Sequence, residues 1–338
     1  MKLNKQELIK ALEIVKPGLA NKEMIEQSTS FAFMDGRVVT YNDEISISHP
    51  VKHLDITGAV KADKLYGFLN KVKKDEIDFE ITESEIKLTA GKSRAGLVLQ
   101  NEIKLPLEEL GGIGKWKPVP DGLAEAIEFA VFSCSNDMSK PILTCVHVRK
   151  ELDRTESSNG YRATHRKFEG ALPVPSFLIP SSSARALGSY PITHIARGAG
   201  WVHFKTKNDT VFSCRVFADN FPEISHLFEF DGDEITLPKT IGDILDRAGV
   251  FKSQDRFVDD MVEVKLANKK ITIRVERDSD WFEEEANIRY SDIPISFQIQ
   301  TNFLKEICAR TQKCIISEKM LKFKGDNWEH ILALTASE

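Results

Sequence analysis

The feature that most constrains this chain is an arrangement of apolar and polar positions that recurs three times. Val60-Lys-Ala-Asp-Lys-Leu-Tyr-Gly-Phe-Leu69, Ile179-Pro-Ser-Ser-Ser-Ala-Arg-Ala-Leu-Gly188 and Ile299-Gln-Thr-Asn-Phe-Leu-Lys-Glu-Ile-Cys308 each read as a strand end entering a short helix. Strand, charged turn and strand follow each copy. The copies start 119 and 120 residues apart. Identity between them is low, but the apolar residues fall at the same steps. A repeat at that spacing implies a row of whole modules, expected at 1–114, 115–230 and 231–338.

Each third also opens with a helix-period stretch. Leu8, Ala11, Leu12 and Val15 follow i, i+3, i+4, i+7, as do Leu123, Ala126, Ile127 and Ala130, and then Ile241, Ile244, Leu245 and Ala248. That spacing sets four apolar side chains on one stripe, ready to pack on a sheet. The second helix of each module shows Leu65, Phe68, Leu69 and Val72, or Leu304, Ile307 and Cys308. The middle copy keeps only Ala184 and Leu187 and is expected to end at Pro191. Alternating segments fill the rest. Val38–Tyr41 and Glu44–Ser48 flank the turn pair Asn42-Asp43, and Ile77–Ile81 and Ile86–Thr89 flank Glu83-Ser84. Trp201–Phe204 and Val211–Phe217 flank Asn208-Asp209, and Val262–Leu266 and Ile271–Val275 flank Asn268-Lys269. Two helices against several antiparallel strands per module is an α+β pattern. The Gly/Pro-rich stretch Leu110–Pro120 and the segment Phe228–Asp233 are linkers too short to act as loose tethers.

Composition is that of an ordinary globular protein, with 41% hydrophobic and 29% charged residues. There is no long apolar run to span a membrane, and the N-terminal stretch opens into an amphipathic pattern without a signal-peptide core. Five cysteines without a CxxC pair point to reduced thiols in a cytoplasmic protein. The net charge of −5 argues against a protein that grips nucleic acid by bulk electrostatics.

Catalytic patterns are missing. Gly111-Gly-Ile-Gly114 has no preceding strand and reads as linker. The eight histidines form no HExxH and no i, i+4 pair, and His194 and His203 read as strand residues near each other on a hairpin. Glu283-Glu-Glu285, beside Trp281-Phe282, reads as an acidic loop, because metal sites draw on dispersed carboxylates. Asn208-Asp-Thr210 matches a glycosylation pattern without secretory context. No cofactor and no metal are expected.

Several segments carry a family resemblance. Lys140-Pro-Ile-Leu-Thr-Cys-Val146 resembles the Arg-Pro-Ile-Leu-Thr-Gly-Val strand in the second domain of bacterial-type sliding clamps, the DNA polymerase III beta subunits. Thr40–Ile47 is similar to the strand entry of their first domain, and Val60–Leu65 to the start of that domain's second helix. Asn220-Phe-Pro-Glu-Ile224 is similar to the Phe-Pro-Asp-Tyr segment closing domain two. Ala163-Thr-His-Arg-Lys-Phe168 resembles a damaged Ala-Thr-Asp-Gly-His-Arg-Leu. The matching segments run in family order along essentially the whole chain.

The resemblance implies a non-catalytic processivity factor. Two chains of three clamp modules would form a homodimer ring around duplex DNA, held by topology rather than by sequence. A short peptide motif would recruit the DNA polymerase and the clamp loader, in the cytoplasm of a cell or of a phage host. The DNA-facing residues it implies, on helix faces opposite the apolar stripes, are Lys10, Lys64, Lys71, Arg247, Arg310 and Lys313, with Lys73, Lys74 and Arg197 from loops. Glu13, Glu125, Glu128, Asp243, Asp246 and Glu306 share those faces. The partner-peptide pocket would comprise Leu143, Thr164, Phe168, Pro222, His226, Leu227, Ile331, Leu332, Ala333 and Leu334. The His-Arg pair of the family matches either Arg166-Lys167 with a deletion or His165-Arg166 with Lys167 in place of an apolar residue. The chain's last residues, from Leu332 on, depart from the family's Met-Pro-Met-Arg-Leu ending, which suits a phage or otherwise divergent clamp with its own peptide. The subunit seam would bring Ala95 and Leu97 against Val250 and Phe251, with about 2 kcal/mol from burying Phe251. Two other functions compete: a clamp-like scaffold that recruits proteins without encircling DNA, and a metal-dependent DNA-processing enzyme.

Overall fold

The strand-to-helix junctions fall where the repeat places them. In the computed structural model, strand Gly58–Lys61 enters a helix at Ala62, Phe177–Pro180 enters one at Ser181, and Ile295–Gln300 enters one at Thr301. The structure describes residues 2–54, 56–251, 260–277, 279–290 and 293–336. The six helices among them are α1 (Lys5–Val15), α2 (Ala62–Lys71), α3 (Leu123–Ala130), α4 (Ser181–Leu187), α5 (Ile241–Ala248) and α6 (Thr301–Cys308). All twelve stripe residues of α1, α3 and α5 named above are buried. Asn4 caps α1 by accepting from the Glu7 amide at 3.1 Å, and Thr40 Oγ1 donates to the Val15 carbonyl at 2.6 Å, tying the helix end to the sheet.

The chain divides into two compact units, residues 1–128, 148–153 and 169–219, and residues 129–147, 154–168 and 220–338, so that residues 115–230 are shared between them. In the first unit an antiparallel sheet runs through 58–61, 30–34, 37–41, 45–50, 211–215, 201–206, 192–197 and 117–118. Its halves meet where Ile45–Ser48 pairs with Val211–Cys214. In the second unit a sheet runs through 145–149, 154–158, 162–167, 328–333, 320–324, 313–316 and 233–236. Its halves meet where Arg162–Arg166 pairs with Trp328–Leu332. The plan is the same: a three-strand meander from one third of the sequence joins a three-strand meander from the next.

Each unit also holds a smaller sheet of the same kind that, among the described residues, meets no second half. In the first unit it is 2–4, 76–81, 85–90 and 93–98, and in the second it is 280–287, 270–277, 261–267, 295–300 and 335–336. Strands 93–98 and 280–287 are therefore edges. By position in the repeat, they correspond to the strands that join the two larger sheets.

Several expectations need correction. Glu283-Glu-Glu285 is no loop: it lies inside strand Asp280–Asn287. Its carboxylates are countered by neighbouring cations, Glu283 by Arg274 at 3.1 Å, Glu284 by Arg247 at 2.7 Å and Glu285 by Lys270 at 2.5 Å. Pro141–Thr144 forms a 3-10 turn, with Thr144 Oγ1 donating to the Pro141 carbonyl at 2.7 Å, and the strand starts only at Cys145. Helix α4 stops at Leu187, ahead of Pro191, and Val72 lies just past α2. His203 stands opposite Ala196 while His194 stands opposite Lys205, so the two histidines are not cross-strand partners. His203 bonds Ser213 Oγ at 2.8 Å, and burial lowers its pKa to about 4.

Hairpin 261–267/270–277 turns through Asn268 and Lys269, at φ of 53° and 61°. Both sit in the left-handed region that a two-residue hairpin demands, where a lysine is strained and glycine is not. Lys269→Gly should stabilise the protein by about 0.5–1 kcal/mol, read as a higher urea midpoint.

Candidate nucleic-acid and peptide interfaces

Packing one stripe of each helix on a sheet turns the opposite stripe outward. Lys10, Lys64, Lys71, Lys73, Lys74, Arg247, Arg310 and Lys313 are exposed. They are not equivalent. Arg247 is engaged by Glu284 through both Nε and Nη2, each at 2.7 Å, which cancels its local charge. Arg197 is half-buried and donates to the Trp201 carbonyl at 2.9 Å, so it serves its own hairpin. Carboxylates on these faces are drawn into contacts too. Glu13 accepts from the Tyr66 hydroxyl at 2.9 Å, Asp246 pairs with Lys305, and Glu306 pairs with Arg162 at 2.6 Å.

The four residues expected at a seam sit at the open edges. Ala95 and Leu97 lie on strand 93–98. Leu97 points into its own core, whereas Val98, one step on, is 74% exposed. Val250 is 78% exposed at the end of α5, and Phe251 stacks on Phe282 of strand 280–287 with ring centroids 5.7 Å apart.

The ten expected pocket residues all belong to the second unit, but they divide between the two faces of its sheet. Ile331 packs with Ala163, Ile224 and Phe228, and Phe221, Leu227, Phe230 and Met320 surround this cluster as a partly exposed apolar patch. Pro222 and His226 are exposed on the same segment as Leu227. Thr164 and Leu332 face the other way. Thr164 Oγ1 meets His330 Nδ1 at 2.6 Å and Ser133 Oγ at 2.5 Å, and Leu332 joins the core beneath the helices with Leu334 packed against it. Burial, with Arg162 and Arg310 nearby, holds His330 far below its usual pKa and therefore neutral. Phe168 is buried, Leu143 half-buried on the 3-10 turn, and Ala333 exposed.

What positions the patch is polar. Segment Ser225–Phe228 is a single 3-10 turn. Buried Lys322 donates to the carbonyls of Phe228 at 2.8 Å and Phe230 at 3.2 Å. Arg154 donates from Nη2 to Ser225 Oγ at 2.6 Å and from Nε to Glu156 at 2.7 Å. Burial raises the Glu156 pKa, but hydrogen bonds from His147 and Arg154 outweigh it and leave the carboxyl ionised more readily than usual. Sequence reading missed all four of these residues. Spacing gave no signal for them: Lys322 takes the step opposite the core-facing Leu321 and Phe323, where an alternating strand ordinarily carries an exposed polar residue.

No protein-family model matches the chain, and no curated protein sequence matches it. Solved structures do. DNA polymerase III subunit beta from Pseudomonas aeruginosa is similar at a TM-score of 0.83 and 14% identity, over 100% of both chains. The DNA polymerase III beta chain from Streptococcus pneumoniae gives 0.85 and 17% over 99% of each. A DnaN sliding clamp from Bartonella birtlesii bound to griselimycin gives 0.85 and 14%, over 100% of this chain and 99% of that one. The chain has the sliding-clamp fold. At these identities the likeness establishes architecture, and the clamp fold's repeated antiparallel sheets are those described above. Among the described residues no cluster of His, Cys, Asp or Glu is arranged to hold a metal, and no helix is long and apolar enough to cross a membrane.

The rim of the patch offers a pH test. A hydrogen bond from His165 Nε2 at 3.2 Å, aided by Lys324, lowers the Glu329 pKa to about 2 against the opposing effect of burial. A carboxyl with a depressed folded pKa stabilises above its ordinary range and loses that contribution as pH falls toward the folded value. Glu329→Gln should therefore lower stability by about 1 kcal/mol at pH 6, solvent screening included, and by progressively less toward pH 2. Thermal midpoints of both proteins across that range measure it.

Proposed function

We propose that two copies of this chain close head to tail into a ring around duplex DNA and tether a DNA polymerase to its template. Each chain contributes three clamp modules, 1–114, 115–230 and 231–338. The observation that carries this reading is the pair of unmatched half-sheets. Within the chain, equivalent half-sheets join twice through one antiparallel strand pair. Pairing edge 93–98 of one copy with edge 280–287 of another would make a third large sheet on the same plan. It would also satisfy two rows of unpaired backbone groups. Charge does not oppose the match: Lys92 and Arg94 flank or occupy one edge, Asp280 opens the other, and the three glutamates there are already countered by Arg274, Arg247 and Lys270. Exposed Val98 and Val250 would each contribute about 1.5–3 kcal/mol on burial.

A ring holds DNA by topology, so a net charge of −5 is no obstacle. Strong contacts to phosphate would add affinity but resist sliding. Tethering raises processivity because a released polymerase rebinds as a local event. The apolar patch around Ile331 is the surface that fits the anchoring side chain of a partner's peptide. Opening the seam falls to a loader recruited through the same patch, in the cytoplasm.

Light scattering should give a mass about twice the 38.1 kDa of one chain. Val250→Asp, at a site too exposed to disturb the core, should give monomers, because the seam would bury an unpaired charge. The protein loaded on nicked circular DNA should stay bound and be lost when the circle is cut. A wild-type monomer, or equal retention on cut DNA, would favour the non-encircling scaffold. Leu227→Glu should cost at least tenfold in affinity for a polymerase-derived peptide while retention on circles is unchanged.

A further inference from the structure

We infer that Arg166 and Arg310 form a pre-set grip for the sugar-phosphate backbone of nucleic acid, held in place by the ring of Phe129. The inference rests on the clamp reading and deepens it. The guanidinium carbon of Arg166 lies over that ring, 5.4 Å from its centroid, and that of Arg310 lies 4.6 Å from it. The shared centroid keeps the two groups within about 10 Å of each other. Arg310 also lies 5.6 Å from the centroid of Phe132. Phe129 itself is only 4% exposed and is braced by Trp328 at 5.2 Å and Phe132 at 6.3 Å.

The contrast with five other arginines carries the argument. Arg162 also stacks on Phe132 and Phe303, at 4.7 and 4.0 Å, but donates to Glu306. Arg154, Arg215, Arg247 and Arg274 are each bound to a carboxylate. Among the described residues, neither Arg166 nor Arg310 has an ion pair or a side-chain hydrogen bond. Stacking fixes the plane of a guanidinium without using its N–H donors. Each therefore offers five donors in a fork that suits two phosphate oxygens, with part of the ordering entropy already lost in the free protein. The approach to Arg310 is open, and Arg166 is half-buried beside it. Arg310 and Phe132 line a cleft of about 810 Å³ with Lys239 and Lys305. Of its carboxylates, Asp246 and Glu306 are paired with Lys305 and Arg162.

The test is direct binding of labelled linear nucleic acid by the full-length protein, in parallel arms of duplex and single strand, from about 50 to 200 mM salt. Replacing both arginines, as R166Q with R310Q, should lower duplex affinity at least tenfold at the lowest salt. It should also flatten the slope of log K against log salt by about two, near 0.9 per lost phosphate contact. R310K keeps the charge and loses the planar stack, so its slope should hold while affinity falls severalfold. K52Q, at an exposed loop lysine, should match the wild type. Loss in the duplex arm, the single-strand arm or both supports the grip and says which form it holds. Wild-type slope and affinity in both arms, or a loss confined to a polyglutamate competitor, overturns it. Retention on nicked circles separates the two readings: a double variant retained there with an unchanged slope removes the grip and leaves the ring. Wild-type protein not retained removes the ring while the slope still decides the grip.

Discussion

The structure depends on how a twisted sheet is completed. Each third of the sequence folds two meanders, and a meander alone leaves one strand with a row of unpaired amides and carbonyls. Twice the chain resolves this internally, by pairing 45–48 with 211–214 and 162–166 with 328–332. The helices follow from that choice, because their apolar stripes need a continuous sheet to cover. A chain with three such repeats has two joints and, necessarily, two open edges. The edges are blunted in different ways. Strand 93–98 carries Gly96, whose missing side chain leaves room for Glu85, and strand 280–287 carries a crowd of carboxylates. Charged side chains along an edge disfavour indiscriminate pairing with other open strands.

The same economy governs charge. The chain is acidic overall, yet several clusters of its carboxylates are spent locally. The Glu283, Glu284 and Glu285 run neutralises Arg274, Arg247 and Lys270, and Asp43 and Glu109 close on Arg215. Exposed pairs of this kind each contribute little, about 0–1 kcal/mol, so their role is to shape the field more than to hold the fold. Among the described residues without an ion pair are a scatter of flexible lysines on helix faces and the two arginines set on the ring of Phe129. Flexible lysines give a weak, evenly spread attraction. Fixed arginines give a localised one.

Much of the fold was legible because it rests on periodicity. The stripes of α1, α3 and α5 and the hairpins at Asn42-Asp43, Asn208-Asp209 and Asn268-Lys269 could be read from spacing and turn chemistry alone, and the left-handed backbone at Asp43, Asp209 and Asn268 is the reason those residue types stand there. The strand through Glu283–Glu285 was illegible for a long-range reason. Three adjacent carboxylates look like solvent-exposed loop until strand 270–277 and α5 supply cations opposite them. The apolar patch was half legible. Ile331 and Leu227 followed from the family likeness, but Thr164 and Leu332 were placed beside them by sequence matching that ignored strand alternation. The props beneath the patch, Lys322, Arg154, Glu156 and His147, were not readable at all, because only tertiary contact tells a buried charge from a surface one.

Alternation has a further consequence at the joint between strands 162–167 and 328–333. Ala163 and His165 face the apolar patch, while Arg162, Thr164 and Arg166 face the helices. Across the ladder Glu329 and Ile331 take the patch side, and Trp328, His330 and Leu332 take the other. One antiparallel pair therefore carries an apolar patch on one face and the cationic stack on the other. A slip of one residue would exchange the two sets outright. The buried contacts of Thr164 and His330, and the apolar seat of Ile331, act together to forbid that slip. The register of a single strand pair thus fixes both surfaces at once, and neither can drift in sequence without the other side of the sheet constraining it.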